Sequence, residues 1–110
     1  MNAEGLYYLG RTYMELGDFR AAADTFENLI EKHETFTPSY LALGETYGKL
    51  ARIPDAHYFL GLYHFKKGDD RTAFYHLTRA EKTLKDPKRL EETRRILKAI
   101  GKLPPEETTE

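Results

Sequence analysis

Apolar residues recur along most of the chain at spacings of three and four, as in Ala22, Phe26, Leu29 and Ile30. That period collects them on one face of an α-helix, and no useful length of chain alternates apolar with polar as a half-buried strand would. The pattern is broken at regular points. Gly17-Asp18 and Gly68-Asp69 read as a helix-ending glycine followed by an N-cap, and Thr37-Pro38 as an N-cap followed by proline in the first turn. Pro54 and Asp86-Pro87 repeat this chemistry. The spacing predicts an all-α chain of about six helices, at about 3–16, 19–33, 38–50, 54–67, 70–84 and 88–100. Turns of about two to four residues between them force antiparallel neighbours.

The helical pattern also repeats. "LYYLGRTYMELGDF" from Leu6 aligns with "YLALGETYGKLARI" from Tyr40, so that Leu9-Gly10-x-x-Tyr13 matches Leu43-Gly44-x-x-Tyr47 at an offset of 34 residues. The unit over residues 3–36 carries Leu6, Leu9, Gly10, Tyr13, Gly17, Ala22 and Phe26. The second hairpin supplies Tyr40, Leu43, Gly44 and Tyr47. On these residues the chain resembles the tetratricopeptide repeat family, over roughly residues 3–100. It departs from the family pattern at Leu29, where alanine is usual, and at Pro38, which is displaced from the usual proline position. The resemblance implies a right-handed solenoid of helix-turn-helix repeats over residues 1–102, with about three hairpins, and an acidic disordered tail follows at 103–110.

A pair of such helices buries one face, and its other face must be covered by the next pair. The segment "DAHYFLGLYHFKKGDD" is apolar almost all round and fits two registers. Counted from the first unit, Ala56, Leu60 and Tyr63 occupy second-helix positions. Counted from its own Leu60-Gly61, the segment leads a unit containing His64, Gly68, Ala73, Leu77 and Ala80, although Gly61 follows Gly44 by only 17 residues, half a period. Either this helix partners its predecessor and also leads its successor, covered on both sides, or one side of its His57, Tyr58, Phe59, Leu62 and Phe65 ring is an exposed partner-binding or dimer surface. The last helix keeps one apolar stripe, Leu90, Ile96 or Leu97 and Ile100, and is charged elsewhere, as a solenoid end facing water must be. The first helix has no comparable cap and starts on Leu6-Tyr7-Tyr8. That asymmetry predicts either further chain upstream or a homo-oligomer formed through this end.

Composition narrows the function. Lys+Arg 17 against Asp+Glu 18 gives a net charge of -1, so no basic field recruits nucleic acid or an anionic membrane. No apolar run reaches the roughly 18 residues of a membrane span. Cysteine is absent, which removes thiolate catalysis and cysteine metal sites and leaves the compartment, cytoplasmic or periplasmic, undetermined. The four histidines, His33, His57, His64 and His76, contain no pair at the i,i+4 spacing of a helical metal site. His57 and His64, seven residues apart, stand about 10 Å apart along one helix. No phosphate-binding glycine loop is present, and no residue set calls for catalysis or a cofactor.

Binding remains. In the family it resembles, the first helix of each pair lines a groove that holds an extended peptide or a partner's helix. The resemblance implies groove residues Tyr7, Arg11, Met14 and Glu15 from the first helix, Leu41, Glu45 and Lys49 from the third, and Tyr75, Arg79 and Lys82 from the fifth. Arg11, Lys49, Arg79 and Lys82 would make one wall basic, suited to an acidic segment or a C-terminal carboxylate. The carboxylate-clamp subset is not reproduced, because Tyr7 and Ala42 stand where it wants lysine and asparagine. A narrower resemblance links residues from Pro54 to Leu97 to the C-terminal repeats of bacterial membrane-associated zinc metalloproteases of the outer-membrane quality-control type. It implies a periplasmic accessory domain that steers substrates and itself lacks the zinc motif.

Overall fold

Asp18, Asp69 and Asp86 start three helices by one device, each carboxylate accepting a backbone N–H just inside the helix: from Ala21 at 3.1 Å, Thr72 at 3.1 Å and Lys88 at 3.3 Å. Gly17 and Gly68 precede two of these caps at φ +80° and +84°, conformations that a side chain would strain. The computed structural model describes residues 1–101, and the tail expected at 103–110 lies outside the described residues. The helices are α1 (Ala3–Glu15), α2 (Phe19–Lys32), α3 (Pro38–Lys49), α4 (Ile53–Lys66), α5 (Asp70–Thr83) and α6 (Pro87–Ile100). No strand occurs among the described residues. Thr37 corrects one expected cap. Its own φ/ψ of -56°/-37° is helical, so its hydroxyl cannot reach back over the first turn and makes no cap bond.

Turns of three to five residues fold each helix back on the one before it, and α1 to α6 pack in chain order along a body 46 × 26 × 25 Å in extent. Close approach at three glycines sets the seams. A Cβ at Gly10 would fall 2.5 Å from the ring of Phe26 on α2. One at Gly44 would fall 2.8 Å from Leu60 on α4, and one at Gly61 would fall 2.5 Å from Leu77 on α5.

The two registers of α4 are thus both realised. Leu60 of α4 fills the notch at Gly44 of α3, while Gly61 beside it is the notch for Leu77 of α5. The helix is second member of one hairpin and first member of the next, and both its sides are covered. Ala56, Tyr58, Phe59 and Leu62 are buried, and His57, Tyr63, His64 and Phe65 are half-buried. Phe26, Leu29, Leu43, Leu77 and Ile96 form the fully buried axis of the core.

Candidate functional site

The side chains expected to line a groove fall on three helices. On α1, the Tyr7 ring is half-buried, edge-on to Phe36 with centroids 5.6 Å apart. Its hydroxyl accepts a hydrogen bond from Arg11 Nη1 at 3.2 Å. Met14 is half-buried against the core, and Glu15 is exposed. On α3, Leu41 is half-buried while Glu45 and Lys49 are exposed. On α5, the Arg79 guanidinium lies 3.7 Å from the centroid of the exposed Tyr75 ring, and Lys82 is exposed. The structure brings Tyr7 to Arg11 and Tyr75 to Arg79, and it sets α1 beside α3. The α5 residues lie on a helix that packs on α4 and α6.

A second concave face runs along the even-numbered helices. A groove of about 520 Å³ opens between α2, α4 and α6, floored by Tyr58, Phe59, Leu62 and Ile96. Arg89 of α6 closes one end. Its Nη2 donates to Glu27 of α2 at 2.7 Å, its Nη1 to Asp55 of α4 at 2.7 Å, and its Nε sits 3.4 Å from Asp86. The guanidinium carbon lies 4.7 Å from the Phe59 ring centroid, so apolar surface shields the pairs from water. Tyr47 also donates its hydroxyl hydrogen to Glu27. Burial, with Glu27 beside it, pushes the Tyr47 phenol up to about 12, so it stays a donor at any physiological pH. The remaining cations of this face are engaged too: Arg95 with Glu92 at 2.7 Å, and Lys66 over the Tyr40 ring at 4.9 Å.

Charge therefore separates the two faces. Arg11, Lys49, Arg79 and Lys82 make no ion pair among the described residues, whereas each arginine of the even-numbered groove has a carboxylate.

Between α4 and α5 lies a histidine group that the sequence did not assemble. His57 Nδ1 and His76 Nδ1 are 2.9 Å apart, and His64 lies parallel to His76 with centroids 5.8 Å apart. A nitrogen–nitrogen hydrogen bond of this kind needs one donor and one acceptor, so at least one of the two rings is neutral. Burial pushes His76 down to about 4, with His57, His64 and Arg79 adding repulsion, and burial with Arg79 lowers His57 as well. His64 is instead 3.6 Å from Asp69. Spacing along one helix tests His57 against His64 only; the true neighbour, His76, comes from the next helix once Leu77 has seated on Gly61. Arg89 was equally hidden, since in sequence it is one more cation of a polar last helix. No group of three or more His, Cys, Asp or Glu among the described residues is placed to hold a metal ion.

No helix among the described residues is long and apolar enough to cross a membrane. No curated protein matches the chain. Residues 4–35, which span α1, its turn and α2, match the tetratricopeptide repeat family. Tetratricopeptide repeats are typically non-catalytic and generally mediate contacts between proteins. With the Leu-Gly-x-x-Tyr positions and the glycine notch filled by Phe26, α1 and α2 are similar to a tetratricopeptide repeat, and the helices after them continue an all-α stack of paired helices.

Proposed function

We propose that the chain is a protein-interaction scaffold that holds an acidic segment of a partner protein against α1, α3 and α5. The observation that carries this reading is the contrast in charge pairing. Arg11, Lys49, Arg79 and Lys82 lack carboxylate partners among the described residues, whereas Arg89 and Arg95 on the opposite face are paired. A cation already paired loses that partner when it takes another, while an unpaired one gains a charge-assisted hydrogen bond outright. Tyr7 and Tyr75 beneath Arg11 and Arg79 hold the two guanidinium groups in place and so reduce the ordering cost of binding.

The test is titration of a fluorescein-labelled hexaglutamate peptide into the wild type and into Arg11→Ala/Arg79→Ala. Two lost charge-assisted bonds weaken binding by about 10–100-fold. The melting temperature should not move, because both residues are exposed. Equal affinity of the two proteins for the peptide, or no binding by the wild type, would sink the reading.

A further inference from the structure

Behind the exposed Tyr75 and Arg79 of α5 stands the contact between His57 and His76. Tyr75 is the plate they share. Its ring centroid lies 3.7 Å from the Arg79 guanidinium carbon, 6.5 Å from the His57 ring and 5.0 Å from the His76 ring, edge-on to both imidazoles. The two histidines are half-buried, with Nδ1 atoms 2.9 Å apart and ring centroids 5.2 Å apart, so the nitrogens meet head to head between the rings. With both rings neutral, one Nδ1–H donates to the other Nδ1. One further proton, taken at Nε2 of the donating ring, keeps that bond as a charged donor on a neutral acceptor. A second proton would set two N–H groups against each other. The pair can therefore gain one positive charge without coming apart.

Few charges face it. Burial opposes a proton on either ring, Arg79 of α5 opposes it on both, and His64 of α4 opposes it on His76. Asp69, the N-cap of α5, faces His64 at 3.6 Å. No charge on α3 or α6 is among the groups that shift the pair.

We propose that the His57–His76 pair is a proton-linked regulator of the α5 end of the acidic-segment site, taking up one proton when an anionic group neutralises Arg79. The proposal rests on the reading of that face given above. An anion paired with Arg79 cancels the repulsion that helps keep the pair neutral, so binding raises the pair's affinity for a proton. By linkage, a proton on the pair tightens the hold on the acidic segment by the same factor. Arg79 is exposed and solvent screens its field, so the factor is about 2–5-fold between pH about 7.5 and about 5.5.

The probe is a hexapeptide of cysteic acid, whose sulfonates stay ionised across this range, titrated calorimetrically at both pH values into the wild type and into His57→Gln/His76→Gln. His57→Gln alone serves where the double variant loses helical circular dichroism. The wild type should gain about 2–5-fold more affinity on acidification than the variant does. An equal gain in both overturns the regulation and leaves the acidic-segment site standing, whereas a wild type that takes no peptide at either pH overturns both. A second measurement needs no peptide. Proton NMR of the imidazole rings should show the pair titrating at higher pH in Arg79→Ala than in the wild type, and unmoved titrations would also overturn the coupling.

Discussion

Arg89 lies sixty-two residues after Glu27, and its Nη2 rests 2.7 Å from Glu27 Oε2, tying the last helix to the second. The same guanidinium reaches Asp55 on α4, so one side chain braces three helices across the mouth of the even-numbered groove. Arg89→Ala leaves Glu27 without a cation and Asp55 with the exposed Arg52 alone. Breaking a fully buried pair costs about 3–5 kcal/mol, and partial exposure of Glu27 reduces this to about 2 kcal/mol. Urea denaturation measures it. Adding Glu27→Gln to the alanine variant should restore part of the loss, and strict additivity would show that the two groups are not coupled.

The glycines of α3 and α4 should respond oppositely to a methyl group. Gly61→Ala drives a Cβ to 2.5 Å from Leu77 in the seam between α4 and α5 and should destabilise the fold by about 1–3 kcal/mol. Gly48, near the end of α3, has nothing within 4 Å, so Gly48→Ala should stabilise by about 0.5–1 kcal/mol through helix propensity. Thermal melts of the two variants compare them directly.

Acid should loosen the same seam. His76 titrates at about 4 in the fold and at about 6.5 in the unfolded chain, so below pH about 6.5 the unfolded chain takes up the proton first. Its contribution to stability is complete above pH about 6.5 and is lost progressively as pH falls toward 4. His57, also lowered, acts in the same direction. Melting temperature measured from pH 7 to pH 4 should fall, and His76→Leu should flatten the part of the curve above the carboxylate range. An unchanged slope in that variant would assign the acid sensitivity elsewhere.

Much of this was readable before any coordinates. The aspartate caps at 18, 69 and 86, the glycines at 17 and 68 and the 34-residue recurrence all act within one turn or one hairpin, where neighbours in sequence are neighbours in space. The double register of α4 was legible for the same reason. Three things were not. Thr37 looked like a cap because its residue type fits, but capping depends on a backbone angle that Phe36 and Ser39 help set, the Ser39 hydroxyl donating to the Phe36 carbonyl at 2.7 Å. Arg89 and the His57–His76 contact join helices whose separation in space depends on how the whole stack turns, and no local spacing carries that. The groove residues on α1, α3 and α5 came from family resemblance, and no local spacing places the three trios relative to one another.

Phe59 gives a sharper reading of how well α4 is covered. It is 4% exposed, stacks on Tyr47 at 5.8 Å and lies under Arg89. Phe59→Ala should cost about 3–5 kcal/mol. The half-buried Phe65 should cost less when truncated in the same way. Chemical denaturation of both variants would rank them, and a Phe59 variant as stable as the wild type would mean that the helix is not held from this side.

An array of separable hairpins can shed its end units one at a time, each boundary being a plane across which only neighbours interact. This molecule has no such plane in its middle. Leu60 and Gly61 are consecutive residues serving different hairpins, so no cut between α3 and α5 leaves both halves with a whole partner. Arg89 bolts the far end back across that centre. The chain should therefore melt as one cooperative body rather than fray from its ends, and a deletion of the second 34-residue period, residues 37–70, should remove the shared helix and with it the fold.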